Sequence, residues 1–392
     1  MPSALPLPSS PSEMDVCIHG AGPVGACLAL ALSRLGLSVG LVDPRRSSTP
    51  AREDLRAYAL SPSSVQLLQQ LKVWEALPTE ARTSVQAMRV QGDSGGLLEF
   101  AAAQQGLNEL AWIVDAGALE RVLAEALRYA PHVQSLDQAA PAGLQAICEG
   151  RESATRADLG VKWLRQPYQH TAVAARLIGD QPHDGVAHQW FQQPGVLGLL
   201  PFDRPKCGSS WALVWSLPED LARQYLAEDP ASFEAALENA TAGAVGRLQL
   251  ASDRAAWPLV SARAEPVCGE GWVLLGDAAH AMHPLAGQGL NVGLGDVACL
   301  APLLARSHRE QPWRSLGDAR TLRAYARARA WPTQSMTTLV DGLWQLFSRP
   351  EAPFKELRNQ GMSLVNQFSP LKHWLARQAM NDRATHPNRN PR

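Results

Sequence analysis

The stretch DVCIHGAGPVGACLALALSRLGLSVGLVD, which runs from Asp15 to Asp43, decides the fold class. Its apolar residues 16–18 predict a short buried strand, the small and apolar residues 28–35 a helix, and residues 39–42 a second buried strand. Strands that are apolar on both faces are typical of a parallel sheet covered by helices. The stretch therefore predicts a βαβ unit at the start of an α/β domain.

A glycine turn joins the first strand to the helix. Its pattern is Gly20-x-Gly22-x-x-Gly25, and Asp43 closes the next strand. Glycines let the backbone approach a pyrophosphate, the N-terminus of the helix offers unpaired N–H groups, and an acidic residue accepts hydrogen bonds from ribose hydroxyls. This context favours a dinucleotide site over a turn that serves packing alone. The motif by itself leaves open whether the dinucleotide is NAD or FAD.

The bulk composition is typical of a globular protein with more than one domain. The chain has 392 residues, of which 46% are hydrophobic and 19% charged, so it is long enough for two interleaved domains. The formal net charge of −1 gives no overall field that would attract nucleic acid. The six cysteines are scattered without a CxxC pair, as expected for reduced thiols in the cytosol.

The sequence carries no pattern typical of export or of a membrane span. Residues 1–14 are rich in Pro and Ser and lack a basic region ahead of an apolar one, which predicts a disordered tail rather than a signal peptide. No run reaches the roughly 18 apolar residues that cross a bilayer. We therefore expect a cytoplasmic protein.

Beyond residue 43 the pattern predicts a second, β-rich domain and a return to the first. Residues 61–77 and a segment capped by Asp115 have helical spacing, whereas residues 170–216 alternate as antiparallel strands do. A strand at 271–275 leads into a loop and then a helix from about Asn291. Residues beyond 312 have a helical pattern to about residue 380.

A second motif, GDAAHAMHPLAGQGLN, follows the strand at 271–275 and runs from Gly276 to Asn291. It resembles the GDAAHxxHPxAGQGLN segment of the class A flavoprotein aromatic hydroxylases, and within them of the ubiquinone-biosynthesis hydroxylase family. The resemblance covers about residues 15–345, and PYQHTAVAARL and ALVWSLPE also match the family's substrate domain. It implies an α/β fold with a Rossmann-like FAD-binding domain of the glutathione-reductase type, as in p-hydroxybenzoate hydroxylase. An inserted β-sheet substrate domain and C-terminal helices complete the expected architecture.

Pattern and resemblance together predict the domain boundaries. These are a disordered tail at 1–14, an FAD-binding domain at 15–165 and 260–312, a substrate domain at 166–259, a C-terminal helical section at 313–380 and a second disordered tail at 381–392.

The resemblance also implies roles for individual residues. The Asp of the family's GDAAH segment contacts the ribityl and phosphate part of FAD, which implies that role for Asp277. The PxxGQGLN turn lays backbone groups along the isoalloxazine edge, and small residues permit such a close approach. The residues that match this turn are Pro284, Gly287, Gln288, Gly289, Leu290 and Asn291. A helix that starts near Asn291 would direct N–H groups at the pyrimidine end of the flavin.

A third segment, DLRAYAL at Asp54–Leu60, resembles the family's DxRAxAL segment, whose Arg reaches FAD. The resemblance therefore implies that Arg56 binds FAD. A guanidinium suits this role because it stays charged and binds phosphate or ribose oxygens in a fixed fork.

Three departures from the family pattern concern the FAD domain. Glu149 stands where the family's GADGxxSxxR stretch has Asp. The connection between Tyr129 and Glu149 is shorter than in family members, which usually carry extra strands there. Ala116 stands where the family commonly has an Asn that touches FAD, so one polar contact is missing or supplied elsewhere.

Two histidines, His280 and His283, stand three residues apart in the second motif. This spacing suits a metal, but no third ligand is in view, so we expect no metal site. We interpret both as structural hydrogen-bonding residues rather than catalytic ones.

The resemblance implies an FAD-dependent monooxygenase that hydroxylates an aromatic ring, with a polyprenyl phenol of ubiquinone biosynthesis as the expected substrate. NAD(P)H would reduce FAD as a transient co-substrate, O2 would add at the flavin C4a position, and the hydroperoxide would deliver the hydroxyl group. The sequence identifies no catalytic acid or base. A prenyl tail would suit peripheral association with the inner membrane or a biosynthetic complex through the apolar stripe at 336–375, although that stripe equally suits packing on the FAD domain.

Two rival functions remain open at this point. One is an FAD reductase or halogenase of similar architecture, although the WxWxIP segment of halogenases is absent. The other is a flavin-binding accessory protein or degenerate paralogue, which the Glu149 substitution and the short connection favour.

Overall fold

The computed structural model describes residues 14–43, 54–92, 96–192, 194–282 and 288–348. Its strands are, in chain order, β1 (Val16–His19), β2 (Val39–Val42), β3 (Ala57–Leu60), β4 (Arg82–Val85), β5 (Ala87–Gly92), β6 (Leu97–Ala101), β7 (Ala111–Asp115), β8 (Val133–Leu136), β9 (Leu144–Ile147), β10 (Lys162–Gly179), β11 (Val186–Gln192), β12 (Gly195–Phe202), β13 (Ser210–Pro218), β14 (Leu248–Leu250), β15 (Ala255–Glu265), β16 (Cys268–Gly269), β17 (Trp272–Leu274) and β18 (His280–Ala281). The helices are α1 (Pro23–Arg34), α2 (Pro62–Gln70), α3 (Ala116–Arg128), α4 (Ala154–Asp158), α5 (Glu219–Ala227), α6 (Pro230–Thr241), α7 (Gln288–Glu310) and α8 (Ala319–Ser348).

The first sheet confirms the predicted βαβ unit. Its six strands have the order β16-β17-β9-β1-β2-β8, and the four pairings between β17 and β8 are parallel. Helix α1 starts at Pro23, where the fixed φ of proline suits the first helical position. Its apolar side chains, such as Leu28 and Leu32, are fully buried in the same core as Ile18 of β1. This packing fixes the glycine turn at the carboxyl end of β1.

The second sheet is built mainly from antiparallel strands, as the alternation of residues 170–216 predicts. Its order is β18-β15-β10-β13-β12-β11-β5-β6, and β14 pairs with β10. Helices α5 and α6 cover one face, where Trp211, Trp215 and Phe233 are buried. The opposite face is turned toward the first sheet, so a space remains between the two sheets. A third sheet, β3-β7-β4, lies beside this space.

Several local predictions can be compared with the structure. Asp115 caps α3 as expected, since its side chain accepts the N–H of Ala118 at 2.7 Å. The helix predicted over 61–77 is too long, because α2 ends at Gln70 and Lys72 adopts a left-handed φ of 56°. That turn sends Val73 and Trp74 back into the core, where both are buried.

The domain boundaries remain predictions, but the pairing of strands bears on them. Strands β5 and β6 fall within 15–165, yet β5 pairs in parallel with β11 of the second sheet. Strands β8 and β9 follow each other through residues 137–143, and the described chain has no strand between them, which agrees with the short connection. Apart from Met14, the predicted tails lie outside the described residues, as does the stripe beyond residue 348. In the described parts of the chain, no helix is both long enough and apolar enough to cross a bilayer.

Candidate FAD site

A cavity of about 1120 Å³ lies between the first and second sheets. One end is formed by the glycine turn and by charged side chains, which are Asp54, Arg56, Glu120, Glu149, Arg151, Glu152 and Asp277. The other end is formed by the open face of the second sheet, where most side chains are apolar. The cavity therefore joins a charged end to an apolar floor within one continuous space.

The three glycines of the turn serve different purposes. Gly20 has a φ of +102°, and a Cβ on it would lie 2.6 Å from the carbonyl oxygen of Cys148. A Cβ on Gly25 would lie 2.0 Å from the carbonyl oxygen of Gly20, so this glycine lets α1 pack on the turn. A Cβ on Gly22 would meet nothing within 4 Å, although Gly22 lines the cavity. The protein itself requires Gly20 and Gly25, whereas the open space at Gly22 is a cradle that suits a phosphate group.

Asp277 projects into the charged end of the cavity. It follows β17 in a short 3-10 turn, 47% of its side-chain surface is accessible, and its Oδ2 lies 3.9 Å from Nε of Arg151. Burial of the surrounding site raises the pKa of Asp277, and the opposing effect of the neighbouring Arg151 does not offset it. A ligand that donates hydroxyl hydrogen bonds would stabilise the carboxylate form, as the predicted ribityl contact requires.

Arg56 lines the same end of the cavity. Its Nε donates to Oδ1 of Asp54 at 2.9 Å, and its Nη2 lies 3.6 Å from Oε1 of Glu120. The hydrogen bond that Arg56 donates to Asp54 raises the pKa of Arg56 further above its ordinary value. Within the described chain its Nη1 makes no hydrogen bond, so these N–H groups remain available to a ligand in the cavity.

The remaining predicted site residues differ in their distance from the cavity, and some lie outside the described residues. Asp43 directly follows β2, whose Val42 carbonyl accepts the N–H of Gly20, so it lies at the edge of the sheet that carries the glycine turn. Gly289 and Leu290 line the cavity in the first turn of α7. Gln288 is the first residue of α7. Pro284, Gly287 and His283 lie outside the described residues.

Asn291 uses its side chain inside the protein rather than in the cavity. Its Oδ1 accepts the Ser61 N–H at 2.9 Å and the Ser64 hydroxyl at 2.8 Å, and its Nδ2 donates to the Ala59 carbonyl at 2.8 Å. These bonds tie the start of α7 to the start of α2 and the end of β3. Any contact of Asn291 with the flavin would therefore come from its backbone, as the resemblance implies.

A buried ion cluster holds the GDAAH turn against α7, and the sequence interpretation missed two of its members. Asp296 accepts hydrogen bonds from Gly276 N at 2.9 Å, His280 Nε2 at 2.7 Å and Arg329 Nε at 2.6 Å. Burial alone would raise the pKa of Asp296, but His280 and Arg329 hold it below its usual range. This geometry agrees with a structural role for His280. The signal in the sequence was one acidic residue in the apolar run NVGLGDVACL.

Glu149, which replaces the family's Asp, caps α4. Its Oε2 accepts the Ser153 hydroxyl at 2.5 Å and the Thr155 N–H at 3.0 Å, while Oε1 accepts the Thr155 hydroxyl at 2.9 Å. Arg156, the last residue of the same stretch, donates to the Ala278 carbonyl at 3.0 Å and thus ties α4 to the GDAAH turn. Ala116 is fully buried at the start of α3. With Glu in place of Asp at position 149, the start of α4 is therefore still hydrogen-bonded and still joined to the GDAAH turn.

The apolar floor of the cavity comes from β5 and β11–β13. The floor side chains are Met88, Ala187, Gln189, Val196, Leu200, Val214 and Ser216, with Gly198 among them. The register places Gln189 opposite Gly198, and Gly198 opposite Val214. Such a floor suits a planar, largely apolar molecule.

Comparisons with known proteins agree with this geometry. A family model described as "FAD binding domain" matches residues 13–145 and 141–337. The chain is 30% identical to the ubiquinone hydroxylase UbiL of Rhodospirillum rubrum, with 97% of this chain and 92% of that protein covered. It is 27% identical to the 3-demethoxyubiquinol 3-hydroxylase of Escherichia coli, with 93% and 98% covered.

Solved structures show the same fold at low sequence identity. PqsL of Pseudomonas aeruginosa in complex with 2-aminobenzoylacetate has a TM-score of 0.73 at 20% identity, covering 91% of this chain and 100% of that one. The p-nitrophenol 4-monooxygenase PnpA of Pseudomonas putida has a TM-score of 0.74 at 16% identity, covering 95% and 99%. Because the family model for the FAD-binding domain matches most of the chain, the chain belongs to that family.

Proposed function

We propose that this protein is an FAD-dependent monooxygenase that hydroxylates an aromatic ring, with a polyprenyl phenol of ubiquinone biosynthesis as substrate. The observation that carries the proposal is the continuity of the cavity, which runs from the glycine turn to the apolar floor. The names of the relatives UbiL and 3-demethoxyubiquinol 3-hydroxylase support the substrate class. Bound FAD would supply the redox chemistry, which is the acceptance of hydride from NAD(P)H and the activation of O2.

The charged end of the cavity would hold the cofactor. The open cradle at Gly22 suits the pyrophosphate, Arg56 offers unused N–H donors, and Asp277 offers a carboxylate for hydroxyl groups. Gly289 and Leu290 in the first turn of α7 would bring backbone groups to the flavin ring. These assignments explain why the charged residues collect at one end of the space.

The apolar floor would hold the aromatic ring and exclude water from it. None of the floor side chains named above is titratable, and the neighbouring His188 turns its side chain to the opposite face of the sheet, toward Trp190 and Trp211. Burial, with a smaller contribution from Arg89, lowers its pKa to about 4, so it is neutral near pH 7. It stacks on Trp190 with ring centroids 5.3 Å apart. The protein therefore orients the ring without placing a charged acid or base on the floor, which fits a reaction whose chemistry resides in the cofactor.

NAD(P)H would act as a transient co-substrate, because the chain contains one dinucleotide fingerprint and we assign it to FAD.

The test of the proposed function is to load the purified protein with FAD and to measure NADH and NADPH oxidation with and without a 2-polyprenylphenol under ¹⁸O2. We expect a yellow protein, oxidation stimulated by the phenol, and one ¹⁸O atom in the product. A protein that cannot be loaded with FAD would refute the proposal. A loaded protein that oxidises NAD(P)H without labelling any phenol would instead be a reductase.

We also propose peripheral association with the inner membrane, since a prenyl tail would keep the substrate there. The alternative is that the apolar stripe packs within the protein. Met336, at the start of the stripe, supports this alternative, because it is buried beside Phe191 and Val196. Co-sedimentation with liposomes, for the full chain and for a chain truncated after Arg349, separates the two interpretations. We expect only the full chain to pellet with the liposomes. If both chains stay in the supernatant while circular dichroism shows both folded, membrane association through this section is wrong.

A further inference from the structure

Gln189 places a primary amide on the largely apolar floor of the cavity. It lies in the middle of β11, where it pairs with Val90 on one side and Gly198 on the other. On the same face of the strand, Ala187 and Phe191 pack in apolar clusters, whereas Trp190 packs on the opposite face against α5 and α6. The alternation of the strand therefore directs the Gln189 side chain into the cavity that it lines.

The amide of Gln189 has no hydrogen-bond partner among the residues that the structure describes. Its residue surface is only 8% exposed, and in the described parts of the chain no hydrogen bond joins its side chain to another residue. The amide lies at the cavity surface, where water or a ligand can supply the hydrogen bonds that polar groups in such places normally make. By contrast, the buried amide of Asn291 is fully paired within the protein, with Ser61, Ser64 and Ala59. Gln189 is thus a polar group that the fold itself does not use.

Gly198 leaves room beside this amide. A Cβ added there would come no closer than 3.5 Å to any atom, the nearest being the Val214 carbonyl oxygen. Packing within the protein therefore does not require glycine at this position. Because Gly198 has no side chain, the floor is flat at this position. Gln189 of β11 lies on one side of this flat place and Val214 of β13 on the other.

The amide and the flat place face the segment assigned to the flavin ring. Phe191 and Val196, two residues from Gln189 and Gly198 along their strands, are in an apolar cluster with Val292 of α7, against which Met282 packs. Met282 and Val292 flank the PxxGQGLN turn, which carries Gly289 and Leu290. A ring on this floor would therefore lie between β11–β12 and the start of α7.

We propose that Gln189 binds the ring hydroxyl of the aromatic substrate and that Gly198 seats the ring beside it. A primary amide accepts a hydrogen bond through its carbonyl oxygen and donates through its NH2 group, so it matches a neutral phenol, which both donates and accepts. Gln189 would thereby select hydroxylated rings and fix their orientation, without removing the phenol proton. The inference rests on the proposed function, because it assumes that an aromatic ring enters this cavity.

The test compares two probes that differ in the hydroxyl group alone, 2-allylphenol and allylbenzene. Their binding to the FAD-loaded protein is measured by calorimetry and by perturbation of the flavin absorbance. For the wild type we expect 2-allylphenol to bind about tenfold more tightly, the ratio that one hydrogen bond of ordinary strength gives. In Gln189→Leu, which keeps a similar volume, the two probes should bind within about twofold of each other. The control Gln249→Leu, on an exposed position of β14, should keep the wild-type ratio.

A second variant separates the shape of the seat from the hydrogen bond. Gly198→Val should weaken both probes by a similar factor, because it fills the seat, and should preserve their ratio. If Gln189→Leu loads FAD and keeps the tenfold preference, this inference is wrong while the proposed function stands. If the wild type loads FAD but binds neither probe, the proposed function itself fails. Should Gln189→Leu fail to fold, Gln189→Asn, which retracts the amide by one methylene, provides the same comparison.

Discussion

The two ends of the cavity are built by different means. The charged end is formed by turns: the glycine turn after β1, the GDAAH turn after β17, and the segment around Arg56. The floor is formed by the faces of paired strands, whose side chains come from four separate segments of the chain. Turns carry their chemistry in consecutive residues, whereas a sheet face distributes it over alternate residues of strands that are distant in sequence.

This difference has a functional consequence. A cofactor shared by a whole family needs the same contacts in every member, and short turns supply them as a unit. A substrate differs between members, and single substitutions on a sheet face can reshape its seat without disturbing the turns. If this comparison is right, changes at the charged end should alter FAD binding, and changes on the floor should alter ring binding alone.

The largest effect is expected at Gly22. Gly22→Val should abolish FAD loading while circular dichroism stays close to the wild type, because the branched side chain would project into the open cradle. Flavin absorbance of the purified variant measures this. Gly25→Ala is the matched control: its Cβ would lie 2.0 Å from the Gly20 carbonyl oxygen, so it should impair folding itself. Normal flavin loading in Gly22→Val would show that the cradle is not the pyrophosphate site.

The next effect concerns stability rather than binding. Asp296→Asn would leave Arg329 without its charged partner in a largely buried place, and breaking a buried pair costs about 3–5 kcal/mol. Because the pKa of Asp296 is lowered in the folded protein, its contribution is present above the unfolded value near 3.8 and is lost as the pH falls below it. Urea unfolding of wild type and variant from pH 7 to pH 3 should therefore show a difference that shrinks toward acid. A constant difference would contradict the ionic role.

The features that could be predicted from the sequence are those built from consecutive residues. The βαβ unit, the capping of α3 by Asp115 and the placing of Gly22 and Asp277 in one cavity rest on local patterns, and the structure agrees with them. The predicted end of α2 was wrong because Val73 and Trp74 continue the apolar pattern of the helix. The chain in fact turns at Lys72, which has a left-handed φ, and the sequence pattern does not indicate this.

The floor could not be predicted in the same way. The alternation of residues 186–202 predicts strands, but it does not say which residue of β12 faces Gln189. That neighbour is Gly198 only because β11 and β12 pair in one particular register, and a slip of one residue would turn Gln189 to the opposite face. Asp296 was missed for a related reason, since its partners His280 and Arg329 come from separate segments.

A smaller effect is expected at Asp277. Asp277→Ala should weaken FAD binding by roughly 1.5–3 kcal/mol, the value of a hydrogen bond to a charged group. The raised pKa of Asp277 adds a test of sign: the carboxylate form is the one that accepts hydroxyl hydrogen bonds, so FAD affinity should fall as the pH drops through that raised pKa. Titration with FAD at several pH values measures both effects.

The matched variant is Asp277→Asn, which keeps the shape of the side chain and cannot ionise. Its FAD affinity should not follow the Asp277 titration at low pH. Asp220→Ala, at an exposed position of α5, should leave the affinity unchanged. Equal affinity in wild type and Asp277→Ala would show that the GDAAH segment has been misassigned.

The smallest effect is expected for Arg56→Lys. Lysine keeps the positive charge but loses the planar fork, so the ion pair with Asp54 would persist while the directed N–H groups at the cavity would be lost. We expect FAD affinity to fall by about tenfold, or about 1.4 kcal/mol, less than for Asp277→Ala. Arg89→Lys is a close control, because Arg89 is similarly exposed and pairs with Glu99 through Nε at 3.1 Å, but does not line the cavity. Fluorescence titration with FAD compares the two variants, and a loss of equal size in both would mean that Arg56 acts through general charge or stability rather than through contact with the cofactor.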